Sequence, residues 1–248
     1  MILYQDIKGA CGMADRLKEI RESEKKSHIE MYSNERLYKP GSWLGKPIKT
    51  VQDIMPLFSE YKKLRVLDLG CGVGRNCLTI ARKYSGIECQ IDCVDILELA
   101  IEKLYENAEV QGVASAICGI VAPIEDFVIQ ENEYDLIMAV SALEHVDTRE
   151  SFVKKLREIR DGIRENGVVC LVMNSDVREY DKVTGNPVSA QFEVNLGTGE
   201  LQNLLKEVFL GWHVIKATIS EQQYDIPRAF GTSDLRTKVV TYVGRKKE

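Results

Sequence analysis

No two cysteines in this 248-residue chain stand in a C-x-x-C arrangement, although there are seven of them. An odd number without paired spacing supports neither a disulfide framework nor a zinc site. Cys89, Cys93 and Cys170 fall in runs that read as core strands, and Cys71 lies in a glycine-rich turn. Reduced thiols in a cytoplasmic protein, with no metal ligand set, are the expectation. A basic excess is lacking too. The net charge of −5 leaves no electrostatic footprint for a nucleic-acid backbone or an anionic membrane. The longest apolar runs, Leu136 to Leu143 and Val168 to Met173, are too short to span a bilayer. The first twenty residues lack a basic region followed by a sustained apolar stretch, so no secretory signal is expected. Repeats and low-complexity segments are also missing. What remains is an ordinary globular composition, 44% apolar and 29% charged, at a length that suits one α/β domain with additions. That balance favours a small-molecule partner over nucleic acid or membrane. Oligomeric state is not legible.

Residues 64 to 76 read LRVLDLGCGVGRN. Leu64, Val66, Leu67 and Leu69 form a short apolar run suited to a strand buried on both faces. Gly70, Gly72 and Gly74 follow at alternate positions and lead into a helix, whose first N–H groups are expected to point back at the turn. A nucleotide-like ligand is expected there. A dinucleotide fingerprint needs G-x-G-x-x-G, and its third glycine falls on Arg75. Asp68 would repel a pyrophosphate and would attract an ammonium group. VLDLGCGVG closely resembles the first motif of class I S-adenosylmethionine-dependent methyltransferases. Within that class, GCGVGRN together with GELQNLL, GWHV and the terminal VVTYVGRKK is similar to tellurite-resistance-type methyltransferases. The resemblance implies S-adenosylmethionine as cofactor, with Asp68, Gly70, Cys71, Gly72 and Gly74 around it.

Strand and helix signals alternate along the chain. Residues 14 to 38 read as a helix stopping near Pro40, and KPGSWLGKP, Lys39 to Pro47, reads as a loop carrying Trp43. Thr50 and Asp53 read as a capping signal for a short helix bearing Val51, Ile54, Phe58 and Tyr61. Strands are expected at 64–69, 87–94, 116–121, 134–141 and 168–173. One helix carries Leu97, Ala100, Ile101, Leu104 and Ala108. Another, capped at Asp147 to Glu150, carries Phe152, Leu156, Ile159 and Ile163. This alternation predicts a doubly wound, mostly parallel, seven-stranded sheet with its ligand over the carboxyl ends of the strands. Residues 175–200 read as a polar insertion. After a helix at Leu201 to Val208, Trp212 to Ile219 and Lys238 to Val243 read as an antiparallel pair joined by a loop containing Pro227 and Gly231. Residues 1–50 are assigned to an N-terminal helical lid and 51–248 to the methyltransferase domain.

Asp95 ends the second strand, 21 residues after Gly74. Its carboxylate can accept both hydroxyls of a ribose, or it can cap the helix beginning near Leu97. Ile96 would then fall beside the adenine. The family often has an acid facing the adenine amino group within the segment APIEDF, but Pro123 holds that position here. Glu125 or Asp126 substitutes, with main-chain groups of Ile124 and Glu125, or the segment is a solvated turn. AVSALEHV, from Ala139 to Val146, resembles the fourth-strand motif of small-molecule methyltransferases. It places Ala139 at the cofactor and makes His145 either a general base or a structural histidine. The N-P-P-Y motif of amino-group nucleic-acid methyltransferases and the Pro-Cys nucleophile of cytosine C5 enzymes are absent. Tyr32, Tyr38 and Trp43 either offer aromatic faces to a sulfonium or substrate, or simply pack. Arg75 and Asn76 reach the ligand or cap local groups. Methyl transfer to a small molecule is the reading these residues carry. A non-catalytic S-adenosylmethionine sensor and, less well, a nicotinamide-dependent dehydrogenase stand as alternatives.

Overall fold

Leu64, Val66, Leu67 and Leu69 are each at most 1% exposed because β1 (Lys63–Leu69) is paired on both sides at the centre of a sheet. The computed structural model describes residues 3–42, 44–228 and 230–247, with side chains from Arg16 onward except at Glu24. β1 pairs in parallel with β2 (Glu88–Asp95) and β4 (Tyr134–Val140). β3 (Ile117–Val121) extends the sheet beyond β2, and β5 (Ile163–Asp181) extends it beyond β4. β8 (Gly231–Arg245) and β7 (His213–Arg228) complete it as antiparallel neighbours, giving the order β3-β2-β1-β4-β5-β8-β7. An eighth strand, β6 (Pro187–Val188), has only two residues and pairs off this path with β5.

Helices cover both faces. α2 (Lys49–Ile54), α3 (Cys77–Lys83) and α4 (Glu98–Val110) pack Val51, Ile54, Leu78, Ile80 and Leu104 around Val66, Ile91, Met138 and Cys170. On the opposite face α5 (Arg149–Gly162) and α6 (Thr198–Val208) bury Phe152, Leu156, Ile159, Leu201 and Leu205 against Leu67, Ile137, Val169 and Tyr242. The strand order reverses between β1 and β4, so the ligand crevice of such a fold opens over the carboxyl ends of these strands.

Several local expectations are corrected. α1 spans Leu3–Asn34 and starts well before Ala14. Thr50 is not a cap: Ile48 holds that position, and the Thr50 hydroxyl, 7% exposed, accepts from Lys216 Nζ at 3.1 Å. Thr148 does cap α5, its hydroxyl accepting the Ser151 N–H at 3.1 Å, but Ile163 has left the helix and opens β5. The segment 175–200 is not one loop. β5 runs on to Asp181, paired with β8 as far as Ser233, so the irregular stretch shrinks to 182–197 around β6. Likewise no long loop separates the last two strands, since β7 and β8 stay paired until Arg228 meets Gly231. Pro227 fits because β7 is an edge strand, where a missing N–H costs no ladder bond.

Candidate active site

The glycine loop follows β1 directly. Gly70 and Gly72 have φ of +72° and +53°, which side chains with a Cβ rarely adopt. Clearance matters as much as conformation. A Cβ on Gly70 would collide with that of Ala142, and one on Gly72 would lie 2.9 Å from the Tyr32 hydroxyl. One on Gly74 would meet Leu104 and Leu78 at 2.6 and 2.7 Å. The expected outward-pointing N–H groups are largely spent on the protein itself, however. Gly70 and Cys71 donate to the Val94 carbonyl at 2.8 and 3.0 Å, Gly74 donates to Cys71 at 3.1 Å, and Gly72 donates to Asp95 Oδ2 at 2.9 Å. Such a loop packs closely on Ala142, Tyr32, Leu78 and Leu104 and holds few donors for a pyrophosphate.

Beneath it lies Asp68, 1% exposed, with Oδ2 lacking any hydrogen-bond partner among the described residues. Burial pushes this carboxyl up to about 7, a rise strengthened by Asp95 and opposed by the Cys77 thiol bonded to it and by the Arg75 guanidinium. An unmet acceptor there costs about 1–3 kcal/mol, so the position is built for a donor that arrives with a ligand. Both Asp95 oxygens accept backbone N–H groups beside the loop. Oδ1 accepts the N–H of Leu97, the N-cap residue of α4, at 2.9 Å, so Asp95 closes the turn ahead of the helix and is not itself the cap, while Oδ2 ties the strand end to the glycine loop. Burial raises its pKa, and the N–H groups of Leu97 and Gly72 oppose that rise. Each carboxylate oxygen keeps lone-pair capacity for a ribose hydroxyl.

The other nominated residues separate. Ile124 reaches to 3.9 Å from the Cβ position of Gly70, and Ile96 is 47% exposed just after Asp95. Burial pushes the Cys71 thiol up to about 12, which keeps it protonated and inert as a nucleophile. Glu125 is taken by an ion pair with Arg21 of α1. Ala139 is wholly buried in the apolar core opposite Leu69, and Ala142 is the residue that touches the loop. Tyr38 bonds to Thr79 and the Arg75 carbonyl, and Asn76 Oδ1 accepts the Ile48 N–H, so both brace the start of α3. Trp43 lies outside the described residues. His145 sits past β4 with Nδ1 2.8 Å from Glu193 Oε2 and its ring stacked on Phe192 at 5.2 Å.

Three positions carry weight that sequence reading passed over. Arg21 joins α1 to Glu125 after β3 and approaches Glu193 at 3.8 Å. Glu193 lay in a stretch without periodicity. Glu144, the neighbour of His145, is a carboxylate only 1% exposed. Its place directly after a strand end was the available signal. Further along α1, Tyr32 meets Gly72, and Ser23 donates to Gln191 at 2.7 Å. The helix therefore lies across the carboxyl ends of β1 to β3 and is clasped by residues 191–193.

A family model described as a methyltransferase domain matches residues 66–167, the stretch holding Asp68, the glycine loop, Asp95 and His145. That stretch is a methyltransferase domain of the class I S-adenosylmethionine-dependent type. Its cofactor is S-adenosylmethionine, and the residues present fit it: an orphaned buried carboxylate for the ammonium, a left-handed glycine loop above it, and Asp95 beside that loop. A carboxy-S-adenosyl-L-methionine synthase of Shewanella piezotolerans is 29% identical over 184 residues, 72% of this methyltransferase chain and 72% of that protein. Ajmaline N-methyltransferase of Rauvolfia serpentina is 29% identical over 97 residues, 39% of this chain, and that match spans only 32% of the plant protein. TehB from Haemophilus influenzae shares the fold, with a TM-score of 0.58 at 24% identity over 79% of this chain and 62% of its own. Among the described residues no helix is long and apolar enough to cross a membrane.

Proposed function

We propose that the chain transfers a methyl group from S-adenosylmethionine to a small-molecule acceptor by in-line displacement. The observation that carries this reading is the buried, unpartnered Asp68 oxygen beneath a glycine loop whose N–H groups are already engaged. In this reading Asp68 holds the ammonium, and Asp95 accepts the ribose hydroxyls. Ile96 and Ile124 flank the adenine, while Gly70, Cys71, Gly72 and Gly74 leave room for close approach. The sulfonium supplies an activated methyl and its own leaving group, so the protein's task is alignment and exclusion of water. Glu193 orients the His145 ring on the turn after β4, as a structural histidine of the site. α1, with Tyr32, and residues 182–197 form the lid. The relatives named for N-methylation of ajmaline and norajmaline support a small-molecule acceptor.

Calorimetry should show S-adenosylhomocysteine binding and no NAD binding, and labelled methyl groups should appear in one member of an acceptor-class screen. NAD binding without S-adenosylhomocysteine binding refutes the reading. Hydrogen exchange tests the lid: residues 20–34 and 182–197 gain protection with S-adenosylhomocysteine, and unchanged exchange in both shows them to be ordinary surface. A second reading, synthesis of a modified cofactor, is favoured by the 72% coverage of the carboxy-S-adenosyl-L-methionine synthase. Mass spectrometry of the cofactor after turnover separates the two.

A further inference from the structure

Glu144 lies on the single 3-10 turn Leu143–His145 that follows β4. Two residues earlier, Ala142 packs on Gly70, so this turn flanks the glycine loop across β1 from Asp95. The side chain is held hard on one side only. Oε1 accepts the backbone N–H of Asn174 at 3.0 Å and its side-chain amide at 2.6 Å, and Asn174 Oδ1 in turn accepts the Thr237 hydroxyl at 3.2 Å. The Glu144 carbonyl accepts the Val194 N–H at 3.0 Å, which fixes the turn against the clasping segment. Oε2 has no hydrogen-bond partner among the described residues, although the residue is 1% exposed. The cationic side chain of this region, Arg21, is committed to Glu125 and Glu193. A buried carboxylate oxygen without a protein partner is disfavoured unless a donor meets it, and the bonds that orient the other oxygen so firmly fix the direction from which that donor comes.

We infer that Glu144 Oε2 receives the methyl acceptor and that the acceptor is an amine. The inference rests on the methyltransferase reading. An anionic acceptor would meet Glu144 with like charge, and a neutral alcohol would leave a net negative charge buried. An ammonium both donates to Oε2 and neutralises it. The same contact sets up the chemistry. The ammonium gives one proton to Glu144, and the freed nitrogen lone pair forms the N–C bond as the C–S bond breaks with its electron pair staying on sulfur. Methylammonium and S-adenosylhomocysteine result, and Glu144 returns its proton to solvent.

The test uses wild type, Glu144→Gln and Glu144→Ala, each first titrated with S-adenosylhomocysteine by calorimetry. Each saturated complex is then titrated with benzylammonium, benzyl alcohol and benzoate by ligand-observed NMR. Glutamine keeps an oxygen for both Asn174 donors, so that variant should melt no lower than wild type. Wild type should prefer benzylammonium to the other two probes, and Glu144→Gln should weaken benzylammonium at least tenfold while cofactor-product affinity stays within twofold. The inference is overturned by unchanged benzylammonium affinity in Glu144→Gln, by a wild type that prefers benzyl alcohol or benzoate, or by a wild type that binds S-adenosylhomocysteine but discriminates none of the probes. A wild type that does not bind S-adenosylhomocysteine overturns the methyltransferase reading and this inference with it.

Discussion

Cofactor affinity should collapse in mild acid because of Asp68. Its carboxyl, raised by burial from an ordinary 3.8 to about 7, is largely protonated in the free protein below neutrality. A protonated carboxyl is a poor partner for an ammonium, so binding must first expel the proton. Each pH unit below 7 then costs tenfold, about 100-fold at pH 5 relative to pH 8, or about 3 kcal/mol. Calorimetric titration with S-adenosylhomocysteine at pH 8, 7, 6 and 5 reads this slope directly. Asp68→Asn should bind more weakly at pH 8, by about 1–3 kcal/mol, and show no such slope. Stability moves the opposite way. A raised carboxyl pKa means that the Asp68 contribution is fully present below about pH 4 and is lost as pH climbs through 7. Asp68→Asn, fixed in the neutral form, should therefore melt above wild type at pH 8, with the gap closing toward pH 4. A wild-type affinity that varies less than threefold between pH 8 and 5, or an equal slope in the asparagine variant, refutes the reasoning.

Asp95→Ala removes the acceptor for both Gly72 and Leu97 N–H groups. It should weaken S-adenosylhomocysteine by about 1–3 kcal/mol, and an unchanged calorimetric affinity would exclude Asp95 from the site. Gly72→Val drives a branched side chain at Tyr32 and demands a backbone it disfavours. Binding should vanish while the circular dichroism spectrum persists, and loss of both would make the loop structural first. Arg228→Met strands Glu179, 1% exposed at its side chain, without its bidentate partner. Chemical denaturation should show a loss of about 3–5 kcal/mol, and a loss below 1 kcal/mol would mean that the pair is solvated.

The parallel half of the fold was legible because its residues obey local rules. Val66, Leu67 and Leu69 put apolar side chains on both faces, Thr148 caps α5, and Leu97, Ala100, Ile101, Leu104 and Ala108 keep helical spacing. The extension of β5 was hidden because its inward positions include Ser175 and Glu179. Their partners come from far along the chain: Thr198 and the Lys238 carbonyl for Ser175, Arg228 and Ser233 for Glu179. Periodicity sees polarity there and reads a loop. Thr50 failed as a cap for a similar reason, since its partner is Lys216. At the site, the cofactor motif was readable from contiguous residues. Glu144 was not, because what marks it is one oxygen held by Asn174, thirty residues away, while the other has no partner among the described residues.

The clasp of α1 has a consequence for time rather than affinity. In the lid proposed above, the Tyr32 hydroxyl stands over Gly72, so entry and exit of the cofactor would wait on the helix lifting from residues 191–193 and Glu125. Part of the barrier to lifting is the Arg21–Glu125 ion pair, whose guanidinium remains 28% exposed and open to counterions. With that lid, turnover would be set by how often the helix opens, and added salt should speed the exchange of spent cofactor for fresh.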